Sequence, residues 1–180
     1  MTRATAPERE QLLGDFIRLC EIESPSKRER PVAEAVRSEL EALGLEVHED
    51  DSAEQTGSQS GNLLARIPGP PGARTILLCA HLDTVPLSGP VDVAQENGVL
   101  SNRHEAILGA DNKAAVATIL GTARRLARDR SSVGVELLFT TCEELALAGA
   151  KAFERGRLRS EFGYVFDHAS PVGELVTASP

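Results

Sequence analysis

Three short polar clusters and one isolated acid stand out, because their residue types are those that hold metal ions or move protons. His81 and Asp83 follow the apolar run TILLCA, Glu143 and Glu144 follow VELLFTTC, and Asp167 and His168 follow FGYVF. Asp111 opens a long helical pattern. Each feature alone is ordinary. An acid at a helix start is a common cap, a Glu-Glu pair is commonly solvated surface, and His-x-Asp is a common polar pair. Together they place carboxylates and an imidazole at the carboxyl ends of strands, where open α/β sheets bind their ligands. Clustered acids repel one another unless a cation neutralises them, so the set reads as a metal site. Neutral imidazole and carboxylates suit zinc, and related sites accept cobalt or manganese. His81 and Asp83 share a side of an extended segment, so Asp83 could take the proton on the imidazole nitrogen that faces away from the metal. Adjacent Glu143 and Glu144 point in different directions, so one can bind metal while its neighbour serves as general base. His168 is either a pocket residue or a hydrogen-bonded loop histidine; His48 and His104 read as surface.

The elements that must position these groups follow from periodicity. Residues 7–22 and 30–43 carry apolar residues at helical spacing, separated by SPS at 24–26, and Gly44 ends the second run. LEVHE at 45–49 alternates like a short strand, and the polar segment 50–60 reads as a flexible loop. NLLARIPG at 62–69 and ARTILLCAHLD at 73–83 read as strands joined by PGPPG, which suits antiparallel neighbours. Ile76–Ala80 has the apolar run of a fully buried central strand. Residues 84–110 read as a long irregular segment of the kind that is functional or disordered. A helix over 111–129, a strand over 133–141, a helix over 144–155 and a strand over 162–167 complete the order α, α, β, β, β, α, β, α, β. This alternation predicts an α/β sheet with helices on both faces.

Composition bounds the function. The chain has 180 residues and a formal charge of −8, which argues against a nucleic-acid partner and weakly against an anionic membrane. It has no apolar stretch near the roughly 18 residues of a membrane span and no signal-like apolar core at its start, so the expected compartment is the cytoplasm. Cys20, Cys79 and Cys142 are too dispersed for a disulfide framework and read as small buried or half-buried residues.

HLDTVP at 81–86, ILGADNKAAVA at 107–117, FTTCEELALAGAK at 139–151 and YVFDHASPVG at 164–173 resemble, in order and over almost the whole chain, the dinuclear zinc metallopeptidases. This family includes peptidase T, carboxypeptidase G and succinyl-diaminopimelate desuccinylase, and the ILGAD and EE-x-x-x-x-GAK segments fit its peptidase T-like branch. The resemblance implies a three-layer α/β/α fold with a mixed, mostly parallel sheet, incomplete at its C-terminal side. It implies that His81 and Asp167 bind one zinc, Glu144 the other, and Asp111 both. Asp83 would orient His81, and Glu143 would be the base that activates the bridging water. Two metals about 3.5–4 Å apart would polarise the amide carbonyl of a small peptide or N-acyl amino acid. Asn112 and Ala115 stand where members more often carry Asp and Gly, and Cys142 where a small or apolar residue is usual.

Members of that family are substantially longer. They insert a lid and dimerisation domain, and the returning chain supplies a last histidine ligand. On this reading residues 1–172 are the N-terminal part of the catalytic domain and 173–180 begin the connection to the lid. A homodimer would belong to the full-length parent, and the 180-residue chain is expected to be inactive alone. The alternative is a non-catalytic metal-binding or regulatory remnant of the same fold, against which the intact Glu143 speaks. A nucleotide-binding α/β domain is disfavoured, since neither GxGxxG nor GxxxxGK[ST] occurs.

Overall fold

In the computed structural model, residues 3–168 and 173–177 are described. Two helices come first, α1 (Ala6–Cys20) and α2 (Arg30–Ala42). Thr5 and Glu8 start α1 as a capping box, each side chain bonding the other's backbone N–H. Strand β1 (Val47–Glu49), helix α3 (Ser52–Thr56) and strands β2 (Leu63–Ile67) and β3 (Thr75–His81) follow. A hairpin of β4 (Val93–Glu96) and β5 (Val99–Asn102) leads to the long helix α4 (Ala110–Asp129). Strand β6 (Gly134–Thr140), helix α5 (Ala148–Ala152), a 3-10 turn (Arg155–Arg157) and β7 (Phe162–Val165) complete the order.

The main sheet runs β1-β2-β6-β3-β7. β3 pairs in parallel with both β6 and β7, while β2 is antiparallel to β6 and to β1. This is the three-layer, mixed-sheet fold expected, although the described pairings are half parallel and half antiparallel rather than mostly parallel. Side chains alternate along each strand. Leu63, Ala65, Leu78, Ala80, Leu137 and Phe139 face a core closed by α1, α2 and α4. Leu64, Cys79 and Leu138 face a smaller cluster that contains Phe153. Burying each large aliphatic side chain contributes about 1.5–3 kcal/mol, so the helical layer carries most of the packing.

Several expectations change. β2 and β3 are not neighbours, because β6 lies between them. The connecting PGPPG loop instead crosses the start of β6, where a Cβ on Gly69 would lie 2.4 Å from the Gly134 nitrogen and the Gly134 N–H donates to the Arg74 carbonyl at 2.8 Å. The middle strand is therefore β6, buried at all seven positions, whereas Thr75, Ile76 and Leu77 of β3 are only half-buried. The segment 50–60 is not a flexible loop: it holds α3, and Asp50 accepts hydrogen bonds from the Ser52 hydroxyl and the Asn62 amide group. Residues 84–110 hold the β4–β5 hairpin. The helix expected over 144–155 shortens to α5, because Cys142, Ala146 and Leu147 take positive φ angles that break helical geometry. All three cysteines are free and buried, as expected. Among the described residues, no helix is long and apolar enough to cross a membrane.

Candidate metal centre

His81, the last residue of β3, is 2% exposed and organises the site. Its Nδ1 lies 2.8 Å from the Asp83 backbone carbonyl and 3.5 Å from Asp83 Oδ1. A carbonyl only accepts, so Nδ1 carries a proton and Nε2 is the atom turned toward the acids. The nearer partner is thus the main-chain oxygen of Asp83 rather than the carboxylate that the spacing suggested. Around Nε2 stand Asp111 Oδ1 at 3.0 Å, Asp167 Oδ1 at 3.6 Å and Glu143 Oε2 at 3.9 Å.

These acids come from three further elements. Asp111 lies in a non-helical lead-in to α4 with ψ of 106°, so it extends toward His81 instead of capping the helix. The peptide between Asp111 and Asn112 is cis. Glu143 and Glu144 lie in the turn after β6. Asp167 lies just beyond β7. The Asn112 side-chain amide donates to the Phe166 carbonyl at 2.6 Å, which ties the lead-in to the end of β7. An ionised Asp at 112 could not make that donation.

The Asp83 carboxylate is fully buried and hydrogen-bonded through both oxygens. It accepts from the Ser26 hydroxyl at 2.6 Å, from the Glu143 N–H at 2.9 Å and from the Glu144 N–H at 3.1 Å. Burial alone would raise its pKa, but hydrogen bonds from His81, Ser26 and Glu143 hold it below the ordinary carboxylate value. Burial opposes protonation of His81, yet Asp83, Asp167 and Glu143 outweigh it and raise the imidazole pKa to about 9. Glu143 and Glu144 are raised, first by burial and then by neighbouring carboxylates, with His81 partly opposing. The acids therefore sit where their mutual repulsion calls for a cation.

The donor set fits a divalent metal. Two trios place their ligand atoms within 4.8 Å of one another: His81, Asp111 and Glu144 in one, and His81, Glu143 and Asp167 in the other. Two candidate clusters sharing one imidazole agree with a dinuclear site, and nitrogen-plus-carboxylate ligation suits several divalent metals. All five of these sequence candidates converge, and Asp83 buttresses them. His168 is exposed and joins neither trio. His48 and His104 are exposed, as read from the sequence.

Sequence reasoning missed the polar residues behind the site. Ser24, Ser26, Glu29, Asn62 and Lys113 are its supports, and SPS at 24–26 was legible only as a helix break. Lys113, 1% exposed, donates to the Ser24 hydroxyl at 2.5 Å, and Ser24 donates to the Leu82 carbonyl at 3.0 Å. Burial lowers the Lys113 pKa to about 8. The available signal was polar side chains inside apolar surroundings, which a single sequence does not distinguish from surface.

Comparison with known proteins agrees with this geometry. Residues 62–169 match peptidase family M28. The chain is 33% identical over 171 residues to the uncharacterized protein YqjE of Bacillus subtilis, covering 94% of this chain and 46% of that one. It is 31% identical over 211 residues to a peptidase T-like protein of Rhizobium meliloti, covering 93% of this chain and 50% of that one. Its fold superposes on aminopeptidase PepT from Bacillus cereus with a TM-score of 0.87 at 32% identity, covering 92% of this chain and 45% of the other. The chain thus spans about half the length of these relatives. It belongs to peptidase family M28, with the catalytic fold of a peptidase T-like metallopeptidase.

Proposed function

We propose that these residues carry zinc-dependent hydrolysis of a peptide or N-acyl amide bond in a small substrate. The supporting observation is the single buried imidazole, His81, facing carboxylates from three other elements. His81, Asp111, Glu144 and Asp167 would hold the metal, with Asp83 orienting His81. When bound, divalent metal would polarise the scissile carbonyl and lower the pKa of the attacking water.

The protein's own groups then manage protons and geometry. Glu143 Oε2, half-buried and with a raised pKa, would take the proton from the attacking water and deliver it to the leaving nitrogen. Its backbone N–H, held by Asp83, keeps that oxygen near the imidazole. The Nδ1–H bond to the Asp83 carbonyl fixes which His81 nitrogen faces the acids. The name aminopeptidase on the Bacillus cereus relative favours a short peptide as substrate. Both trios draw on the same histidine, so the 180 residues by themselves should be a poor catalyst, turning over more slowly than about 1 s⁻¹.

Equilibrium dialysis against zinc, with Asp111→Ala as control, tests the reading. Wild-type chain should retain zinc, and the variant should lose most of it. A chain that binds none, or a variant that binds as well, would remove the metal centre and the chemistry built on it.

A further inference from the structure

Four consecutive backbone N–H groups lead into and through the Glu143–Glu144 turn, and each is accepted by a buried side chain. Thr141 N–H donates to Asn62 Oδ1 at 3.0 Å, and Cys142 N–H to Glu29 Oε1 at 3.0 Å. Glu143 and Glu144 N–H groups are taken by the two oxygens of Asp83. Asp83 touches His81 and belongs to the site already described. Glu29 does not: it lies at the start of α2, 113 residues from Cys142 in sequence.

Glu29 is an unusual residue for its place. It is the N-cap of α2, a position where Ser, Thr, Asp or Asn normally bonds the first helical N–H groups, yet it makes no side-chain cap. Its carboxylate is 0% exposed and turns away from the helix. Oε1 accepts from the Lys27 N–H at 2.9 Å, the Cys142 N–H at 3.0 Å and the Cys142 thiol at 3.3 Å, and Oε2 accepts from the Ser58 hydroxyl at 2.5 Å. Burying a carboxylate is costly unless its lone pairs are satisfied, and here they are filled by donors from three segments. Cys142 has a positive φ of 51°, a conformation that a non-glycine residue holds only when its surroundings impose it. Glu29 accepts from both the Cys142 N–H and its thiol, beside the Ala148 N–H that closes the turn on the Cys142 carbonyl.

We propose that Glu29 is a positioning residue: its buried carboxylate locks Cys142 in the left-handed conformation and thereby aims Glu143 and Glu144 at His81. This rests on the proposed metal chemistry for its consequence, but the positioning itself can be measured without metal. The geometry also separates charge from shape. A glutamine can keep an acceptor oxygen on Cys142 and Lys27 while its NH₂ donates to the Ser58 hydroxyl. An alanine removes the acceptor, and an aspartate keeps the charge but is one methylene too short to reach.

The test is amide hydrogen exchange on the metal-free 180-residue chain, residue by residue, followed by cobalt titration of the same variants. In Glu29→Ala and Glu29→Asp, exchange at Cys142, Glu143 and Glu144 should accelerate at least about tenfold, while Leu137 and Leu138 of β6 keep wild-type protection. Glu29→Gln should stay within about threefold of wild type. Cobalt affinity should fall about 10–100-fold in Glu29→Ala and Glu29→Asp and hold in Glu29→Gln, as for other groups that orient ligands from behind. Should Glu29→Ala not fold, Glu29→Asp and Glu29→Gln carry the comparison. Unchanged exchange at 142–144, acceleration spread equally into β6, or an equal loss in Glu29→Gln would overturn the positioning role. Wild-type chain that binds no cobalt, with the exchange pattern as expected, would instead overturn the metal reading and leave Glu29 as the turn's anchor.

Discussion

Strands β6 and β7 both deliver carboxylates to His81, but they are held in opposite ways. β6 is buried along its whole length, with Leu137 and Phe139 at 0% exposure, and the N–H groups from Thr141 to Glu144 are all taken by buried side chains. Among the described residues β7 pairs only with β3, and Phe162, Tyr164 and Val165 on it are exposed. Asp167 beyond it is steadied by backbone and amide contacts: the Phe166 N–H on the Cys79 carbonyl at 2.9 Å and the Asn112 amide on the Phe166 carbonyl. One wall of the site is thus part of the core, and the other rests on the sheet ladder. A change at β6 should be felt through the whole fold, and one at β7 should stay local.

The largest contrast is in packing. Phe139→Ala should lower stability by about 3–5 kcal/mol in denaturant unfolding, because it leaves a cavity in the helical core. Val165→Ala should stay within about 0.5 kcal/mol. Comparable losses at both positions would erase the difference between the two strands.

A smaller effect tests whether both walls act on the same imidazole. The His81 pKa in the folded, metal-free chain is raised to about 9, above the ordinary value of about 6.5. Protonated His81 therefore contributes stability that is fully present below pH about 6.5 and is lost as pH rises through about 9. The loss should be on the order of 3 kcal/mol, read from urea midpoints in chelator, and His81→Gln should lack it. An imidazole that titrates near its ordinary value by NMR would mean that the acids do not close around it.

The smallest effect belongs to the exposed wall. Asn112→Asp removes the donor to the Phe166 carbonyl and should cost about 0.5–1.5 kcal/mol. Its chemical-shift changes should gather at 166–167 and leave β6 unmoved. Shifts that reach Leu137 or Leu138 would show that the two walls are coupled.

The candidate site residues were legible because polar groups at strand ends combine two local signals, an apolar run and a polar residue soon after it. The runs before His81, Glu143 and Asp167 give both without any knowledge of the fold. Strand neighbours were not legible. PGPPG looks like a hairpin connection, yet β6 inserts between β2 and β3 through a partner more than 50 residues away along the chain. The supports were equally hidden. Glu29 stands just before the second helical run and Asn62 opens the strand run at 62–69, and neither carries a local mark of its buried role.

Sequence alone determined the helices and strands that frame the main sheet and the acids and imidazole at their ends, since these depend on neighbours within a few residues, but not α3 or the β4–β5 hairpin. Tertiary structure decided which strand is central, which nitrogen of His81 faces the acids, and which buried carboxylate holds the Cys142–Glu144 turn. Those outcomes depend on hydrogen bonds and packing between segments far apart in the chain, and such pairings leave no periodic trace in a single sequence.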